Sequence, residues 1–194
     1  MARPREFDEH EVLEKAMKVF WQKGYEGASV YDLMEATGLK KSSIYKAFTS
    51  KQELFWRVNA VYQKDYLGFI DVALAQSTPR AIAEAYLRGQ ADLHTEGAYP
   101  WGCFETNAAL ACSSDGEDIQ QALVESRFNL QRKLAKAFQR TEFDGPMLPD
   151  ATPDDAAAYV VTLVQGMAVQ AKGGVSRTEL HKFVTFSMMA WPQS

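Results

Sequence analysis

Between Glu9 and Lys23 the apolar residues Val12, Leu13, Ala16, Met17, Val19 and Phe20 fall within a stripe of about 160° when the chain is wound as a helix, with Glu11, Glu14, Lys15, Lys18 and Gln22 opposite. A segment patterned in this way has one face to bury and one to leave in water. It must be a helix packed against partners, and the question becomes what those partners are.

They follow at once in the chain. Gly24, Tyr25, Glu26 and Gly27 close the first helix. Ser29 followed three residues later by Asp32 has the form of a capping box opening a short second helix through Leu33, Met34 and Ala36, which Gly38 ends. After a turn of a few residues, Lys41 to Phe48 reads as a third helix with Ile44, Ala47 and Phe48 on one face and Ser42, Tyr45 and Lys46 on the other. Charge singles out the same place. Residues 1 to 57 carry ten Lys or Arg against nine Asp or Glu, whereas the remaining 137 carry eleven against sixteen. Thr37 to Gln52 holds Lys40, Lys41, Lys46 and Lys51 with no acid, beside Ser42, Ser43, Tyr45, Thr49 and Ser50. Cations interleaved with hydroxyls suit a phosphate backbone. Two short helices joined by a glycine-containing turn, the second backed by apolar residues, have the layout of a helix-turn-helix.

The succession Phe20-Trp21-x-Lys23-Gly24-Tyr25, Ser29-Val30-x-x-Leu33, Thr37-Gly38-Leu39, Ile44-Tyr45-x-x-Phe48 and Ser50-Lys51-x-Glu53-Leu54-Phe55 resembles the DNA-binding region of the tetracycline-repressor-like (TetR) family of bacterial transcription regulators. The resemblance covers about residues 6 to 56. It implies an all-helical protein of nine or so helices: a helix-turn-helix domain over residues 1–50, then a larger ligand-binding and dimerisation domain over 51–194. Carried over position by position, Ser29, Lys41, Ser42, Tyr45 and Lys51 match positions that touch phosphates or base edges, while Lys40 departs from the hydroxyl common there. Ser29, Tyr45 and Lys51 are expected on phosphates. Lys41, Ser42, Ser43 and Lys46 are expected near base edges, where only the lysines suit guanine O6/N7. The expected function is a repressor bound to a palindromic operator as a homodimer and released by a small molecule.

Beyond the head, residues 51 to 76 contain no proline and one glycine, and their apolar residues predict a long linking helix. Pro79 opens another helix toward Leu93, and Tyr99-Pro100-Trp101-Gly102 breaks the pattern. Further helices are predicted at roughly 103 to 112, 117 to 140, 153 to 172 and 176 to 190, within about two to four residues. Asp144 to Pro153 reads as an exposed loop, and no alternating apolar stretch calls for a sheet. Tyr159, Val160, Leu163, Val164, Met167 and Ala171 form one wide apolar face. Phe183, Val184, Phe186, Ser187, Met188 and Ala190 form a second, and together they predict a homodimer surface.

Other classes of chain are set aside by composition. With 194 residues and 46% hydrophobic content it is an ordinary globular chain. No apolar run approaches a membrane span, and the first residues turn acidic where a secretory signal turns apolar, so a soluble, cytoplasmic protein is expected. Two cysteines and three scattered histidines offer no metal-ligand spacing, and no cofactor motif is present. Cys103 and Cys112 on one continuous helix would be roughly 13.5 Å apart on opposite faces, too far for a disulfide, so Cys112 is read as a buried small apolar residue and Cys103 as a pocket wall, with a thiol of pKa lowered by the helix dipole as the alternative. Tyr62, Tyr66, Tyr86, Trp101, Cys103, Phe104 and Phe128 are candidates to line an effector pocket. His94 has no partner at fixed spacing and reads as a surface or pocket residue. No nucleophile and base can be paired, which sets a small helical enzyme behind the regulator. Acid outside the head speaks likewise against an architectural protein coating DNA without sequence preference.

Overall fold

The computed structural model describes residues 7–109, 116–141 and 150–192. Ten helices occur among them and no strands: α1 Glu9–Gly27, α2 Val30–Thr37, α3 Lys41–Phe48, α4 Lys51–Tyr66, α5 Phe69–Leu74, α6 Pro79–His94, α7 Phe104–Ala109, α8 Glu117–Gln139, α9 Pro153–Lys172 and α10 Arg177–Met188. No helix among the described residues is long and apolar enough to cross a membrane.

Helix starts follow the sequence's own signals. Ser29, Thr152 and Ser176 each accept the amide of the residue three ahead, and Asp32, Asp155 and Glu179 reciprocate on the cap's own N–H. Thr78 caps α6, with Pro79 in the first position, where its missing N–H costs nothing. Gly38, at φ 72°, ends α2 in the left-handed conformation. Within α1 the backbone leaves the helix at Gly24 (φ 73°, ψ 175°), where a Cβ would stand 3.0 Å from the Asn107 carbonyl oxygen. The expected closure at Gly24 is therefore a close approach to α7, although helical turns resume through Gly27.

The long helix expected over 51–76 is divided. α4 ends at Tyr66, and after Leu67 and Gly68 the chain restarts as α5, turning Ile70 and Ala73 into the core against α6. Phe69 reaches a site on α6 open only because residue 89 is glycine, since any Cβ there would collide with its ring. The segment predicted as a helix from 103 to 112 is seen as Phe104–Ala109; Cys112 and most of the loop predicted from Asp144 lie outside the described residues.

Two apolar cores result. One joins α1 to α4 with α7 and the start of α8, including Trp21, Phe55, Tyr62, Phe104 and Ile119. The other is built from α5, α6, α8, α9 and α10 and is rich in alanine and valine. Much of the surface predicted for dimerisation belongs to this second core: Val160, Val164, Met167, Ala171, Val184 and Met188 are all buried within the single chain. Their stripes face inward because α9 and α10 pack on α6 and α8. Val169, Phe183, Phe186 and Met189 remain exposed on the outer side.

Candidate nucleic-acid interface and internal cavity

The short third helix is held from behind. Ile44 and Phe48 are buried in the head's core, with α3 packed on α2 and α4, which leaves Lys41, Ser42 and Lys46 exposed and Ser43 and Tyr45 half-buried along the free side. Lys40 stands exposed at its N-cap and makes no side-chain cap. Thr49 then bends the chain at φ 54°, with the Ser50 amide donating to the Phe48 carbonyl. For a β-branched residue this backbone is strained, and it sets the angle at which α4 leaves α3.

Two of the predicted contacts are already engaged. The Ser29 hydroxyl donates to Asp32 (2.7 Å) while accepting its amide, and Lys23 pairs with the same carboxylate at 2.6 Å. The Lys23 ammonium and these hydrogen bonds hold the Asp32 carboxyl down at about 2. Lys51 lies half-buried over the Tyr25 ring, 4.3 Å from its centroid, and burial lowers its ammonium pKa. A cation in the first turn of α4 opposes the helix dipole, an arrangement that an incoming anion would relieve.

The head is fastened to the rest of the chain by one seam. The Trp21 indole donates to the Gly102 carbonyl at 2.9 Å, and the Asn107 amide donates to the Trp21 carbonyl at 3.1 Å. Phe104 stacks on Phe55 at 5.5 Å and meets Tyr62 at 5.0 Å. Arg57 ties α4 to α1 through Glu9 at 2.7 Å. On the same seam the Tyr66 hydroxyl donates to Glu14 and meets the Tyr99 hydroxyl. His10 and Asp65 bring ligand atoms within 4.8 Å of Glu14, but both are exposed, as solvated charge clusters commonly are.

The other side of α7 opens on a cavity of about 540 Å³, within the range of small-molecule sites. Cys103, Glu105 and Thr106 contribute from α7 and the residue before it, facing Tyr62, Gln63, Tyr86 and Gln90. Of the predicted pocket residues, Tyr62, Tyr86 and Cys103 line it. The other four stand elsewhere: Phe104 points the opposite way into the seam, Tyr66 is held by Glu14 and Tyr99, and Trp101 and Phe128 are exposed. Apolar spacing identified aromatic side chains but not the direction in which α7 turns them. Burial and the nearby Glu105 carboxylate push the Cys103 thiol up, only partly opposed by the Thr106 amide that its sulfur accepts at 3.5 Å, so it is held as a thiol. His94 is neither a surface nor a pocket residue. It is fully buried with both ring nitrogens unpartnered, and burial lowers its pKa to about 4.

Residues 12–58 match the model of the bacterial regulatory proteins, tetR family. Over 194 residues the chain is 32% identical to the HTH-type transcriptional repressor ComR of Escherichia coli (strain K12), covering 98% of this chain and 92% of that one. The chain belongs to the tetR family. A cysteine mutant of the TetR family transcriptional regulator CifR, solved with 26-bp double-strand operator DNA, superposes with a TM-score of 0.89 at 34% identity, covering 98% of this chain and 100% of that one. A TetR transcriptional regulator from Chloroflexus aurantiacus shares the fold with a TM-score of 0.77 at 21% identity, over 93% of this chain and 91% of that one. Membership of the tetR family accounts for the helix-turn-helix layout and for the larger helical part behind it.

Sequence reasoning missed Glu105 and Gln63, which join across the cavity edge at 2.8 Å. They are 42 residues apart, and no local pattern marks either.

Proposed function

We propose that the protein is a transcriptional repressor that binds a palindromic operator as a homodimer and is released when a small molecule occupies the cavity. The observation that carries this reading is the free side of α3: a lysine- and hydroxyl-bearing face with no acid, on a helix whose back is locked by Ile44 and Phe48. The structure of CifR with its operator supports it. In this reading residues 1–50 bind DNA and 51–194 bind ligand and pair the protomers. Lys41, Ser42, Ser43 and Lys46 approach base edges, with Lys40 beside them, while Tyr45 and Lys51 meet phosphates. Ser29 reaches a phosphate through its hydroxyl only by sharing it with the Asp32 cap. The partner protomer covers Phe183, Phe186 and Met189, and two heads so joined read half-sites about 34–36 Å apart. An occupant that favours another spacing lowers operator affinity by population shift. The occupant is bound rather than turned over, so any compound that releases the protein is expected back unchanged by chromatography.

The test is binding to the operator beside the protein's own gene. Lys51→Gln is expected to weaken operator and random DNA alike and flatten the salt slope by about one unit, whereas Lys46→Gln changes base preference. Unaltered binding in both variants at moderate salt would remove the head as the reader.

A further inference from the structure

We infer that the cavity takes an organic cation, whose ammonium group sits between the Glu105 carboxylate and the aromatic walls Tyr62 and Tyr86. The inference rests on the cavity being the ligand site of the reading above.

Charge decides the class of occupant. Five charged residues line the cavity: Asp71, Glu105, Glu125, Arg127 and Lys133. Asp71, Glu125 and Lys133 are exposed, and Glu125 is paired with Arg132 at 2.7 Å. Glu105 is the more enclosed acid. Its carboxylate accepts one short hydrogen bond, from the Gln63 amide at 2.8 Å, and among the described residues no cation lies within ion-pair distance. Burial pushes its carboxyl up, only partly opposed by Gln63, Asn59 and the more distant Arg127. A carboxylate so placed lacks the partner that enclosure demands, and a bound cation supplies it. An anionic occupant set against Glu105 would add to the deficit.

The surrounding groups favour the same class. Tyr62 and Tyr86 are buried, and burial holds both phenols protonated, so they present neutral rings that attract cations. The Tyr86 hydroxyl accepts the Gln90 amide at 3.2 Å and keeps its own hydrogen to donate. At this end the wall sets the Glu105 carboxylate beside two neutral rings. It is a cage for an N–H-bearing or alkylated ammonium on an apolar body, the latter resting on Leu67, Ile70 and Leu130.

The position of Glu105 also explains how such binding reaches the head. Its present partner, Gln63, belongs to α4, which continues from α3 through the bend at Thr49. An ammonium that engages the carboxylate competes with Gln63 and loosens the bond between α7 and α4.

Isothermal titration of the full-length protein with 2-phenylethylammonium, 2-phenylethanol and 3-phenylpropionate separates the classes. The ammonium is expected to bind at least about tenfold tighter than the alcohol, and Glu105→Gln to erase that advantage while leaving the alcohol unchanged. If Glu105→Gln fails to fold, Tyr86→Leu serves in its place and should weaken the ammonium more than the alcohol. Equal or tighter binding of the alcohol or the carboxylate overturns the inference. So does an ammonium advantage that survives the substitution, or absence of heat for all three at millimolar concentration. Gel shifts of operator DNA in the same titration keep the two readings apart: an ammonium advantage without release sustains the ligand class and counts against release through the cavity.

Discussion

Trp21 and Trp191 are equally buried, 0% and 1% exposed, yet they sit in cores of different construction. Around Trp21 the neighbours are rings: Tyr62 edge-on at 5.2 Å, Tyr99 stacked at 5.5 Å and Phe104 at 6.1 Å, with the indole N–H satisfied by the Gly102 carbonyl. Trp191 packs on Phe138 at 5.6 Å in a core otherwise dominated by alanine and valine, and its indole N–H has no partner. Aromatic edges and a paired indole fix position and direction, because each contact has a preferred geometry. Small aliphatic residues let helices approach closely but prescribe less. The difference teaches where the molecule needs exact register: at the seam between the head and α7, not within the bundle of α6, α8, α9 and α10.

The sharpest way to break that comparison is to truncate the seam. Trp21→Ala removes the ring contacts and orphans the buried Gly102 carbonyl, and is expected to cost about 3–5 kcal/mol in chemical denaturation. A loss below about 1 kcal/mol would show that the seam is not the anchor.

Next in size is an effect of pH beside the same seam. The unfolded His94 imidazole gains a proton below its ordinary value of 6.5, the folded one only below about 4. The stability contributed by keeping it neutral is therefore complete above pH 6.5 and is lost as pH falls, approaching about 3 kcal/mol at pH 4. Between pH 6.5 and 4, His94→Leu should lose less unfolding free energy than wild type, by up to about 3 kcal/mol, and an equal loss in both would remove His94 as the cause.

The outer side of the alanine-rich core offers a third test. Phe186, 71% exposed, is expected at the protomer contact, and Phe186→Glu should weaken self-association about a hundredfold, or about 2.7 kcal/mol, seen as a monomer mass by light scattering. An unchanged mass at micromolar concentration would place the contact elsewhere. Smallest of all, Trp191→Phe sheds a buried donor that has no partner, so its cost should stay under about 1 kcal/mol despite complete burial. A cost matching that of Trp21 would erase the distinction between the two cores.

Much of the head was legible because its signals are local. The stripe from Val12 to Phe20, the box from Ser29 to Asp32 and the glycine at position 38 each act within one or two turns, and the third helix was expected over the very residues Lys41–Phe48 where it occurs. The break in the linking helix at Leu67 and Gly68 carries no local signal, and the segment after it packs through a distant residue, Gly89 on α6, which admits the Phe69 ring. The same limit separated the predicted pocket aromatics. Tyr62 and Phe104 have similar apolar character, and only the packing of α7 sends Phe104 into the seam while Tyr62 also reaches the cavity.

Local signals in the chain are therefore enough for the three helices of the head, the helix starts at Ser29 and Pro79 and the acid-free face of α3, since helix period, capping and charge act between near neighbours in the chain. Tertiary structure alone decided that Trp21 meets Gly102, 81 residues away, and that Gln63 meets Glu105, 42 residues away. The physical reason is that a hydrogen bond or ring contact between distant segments depends on the relative placement of whole helices. That placement is chosen by burying all their apolar faces together, and no single stretch of sequence encodes it.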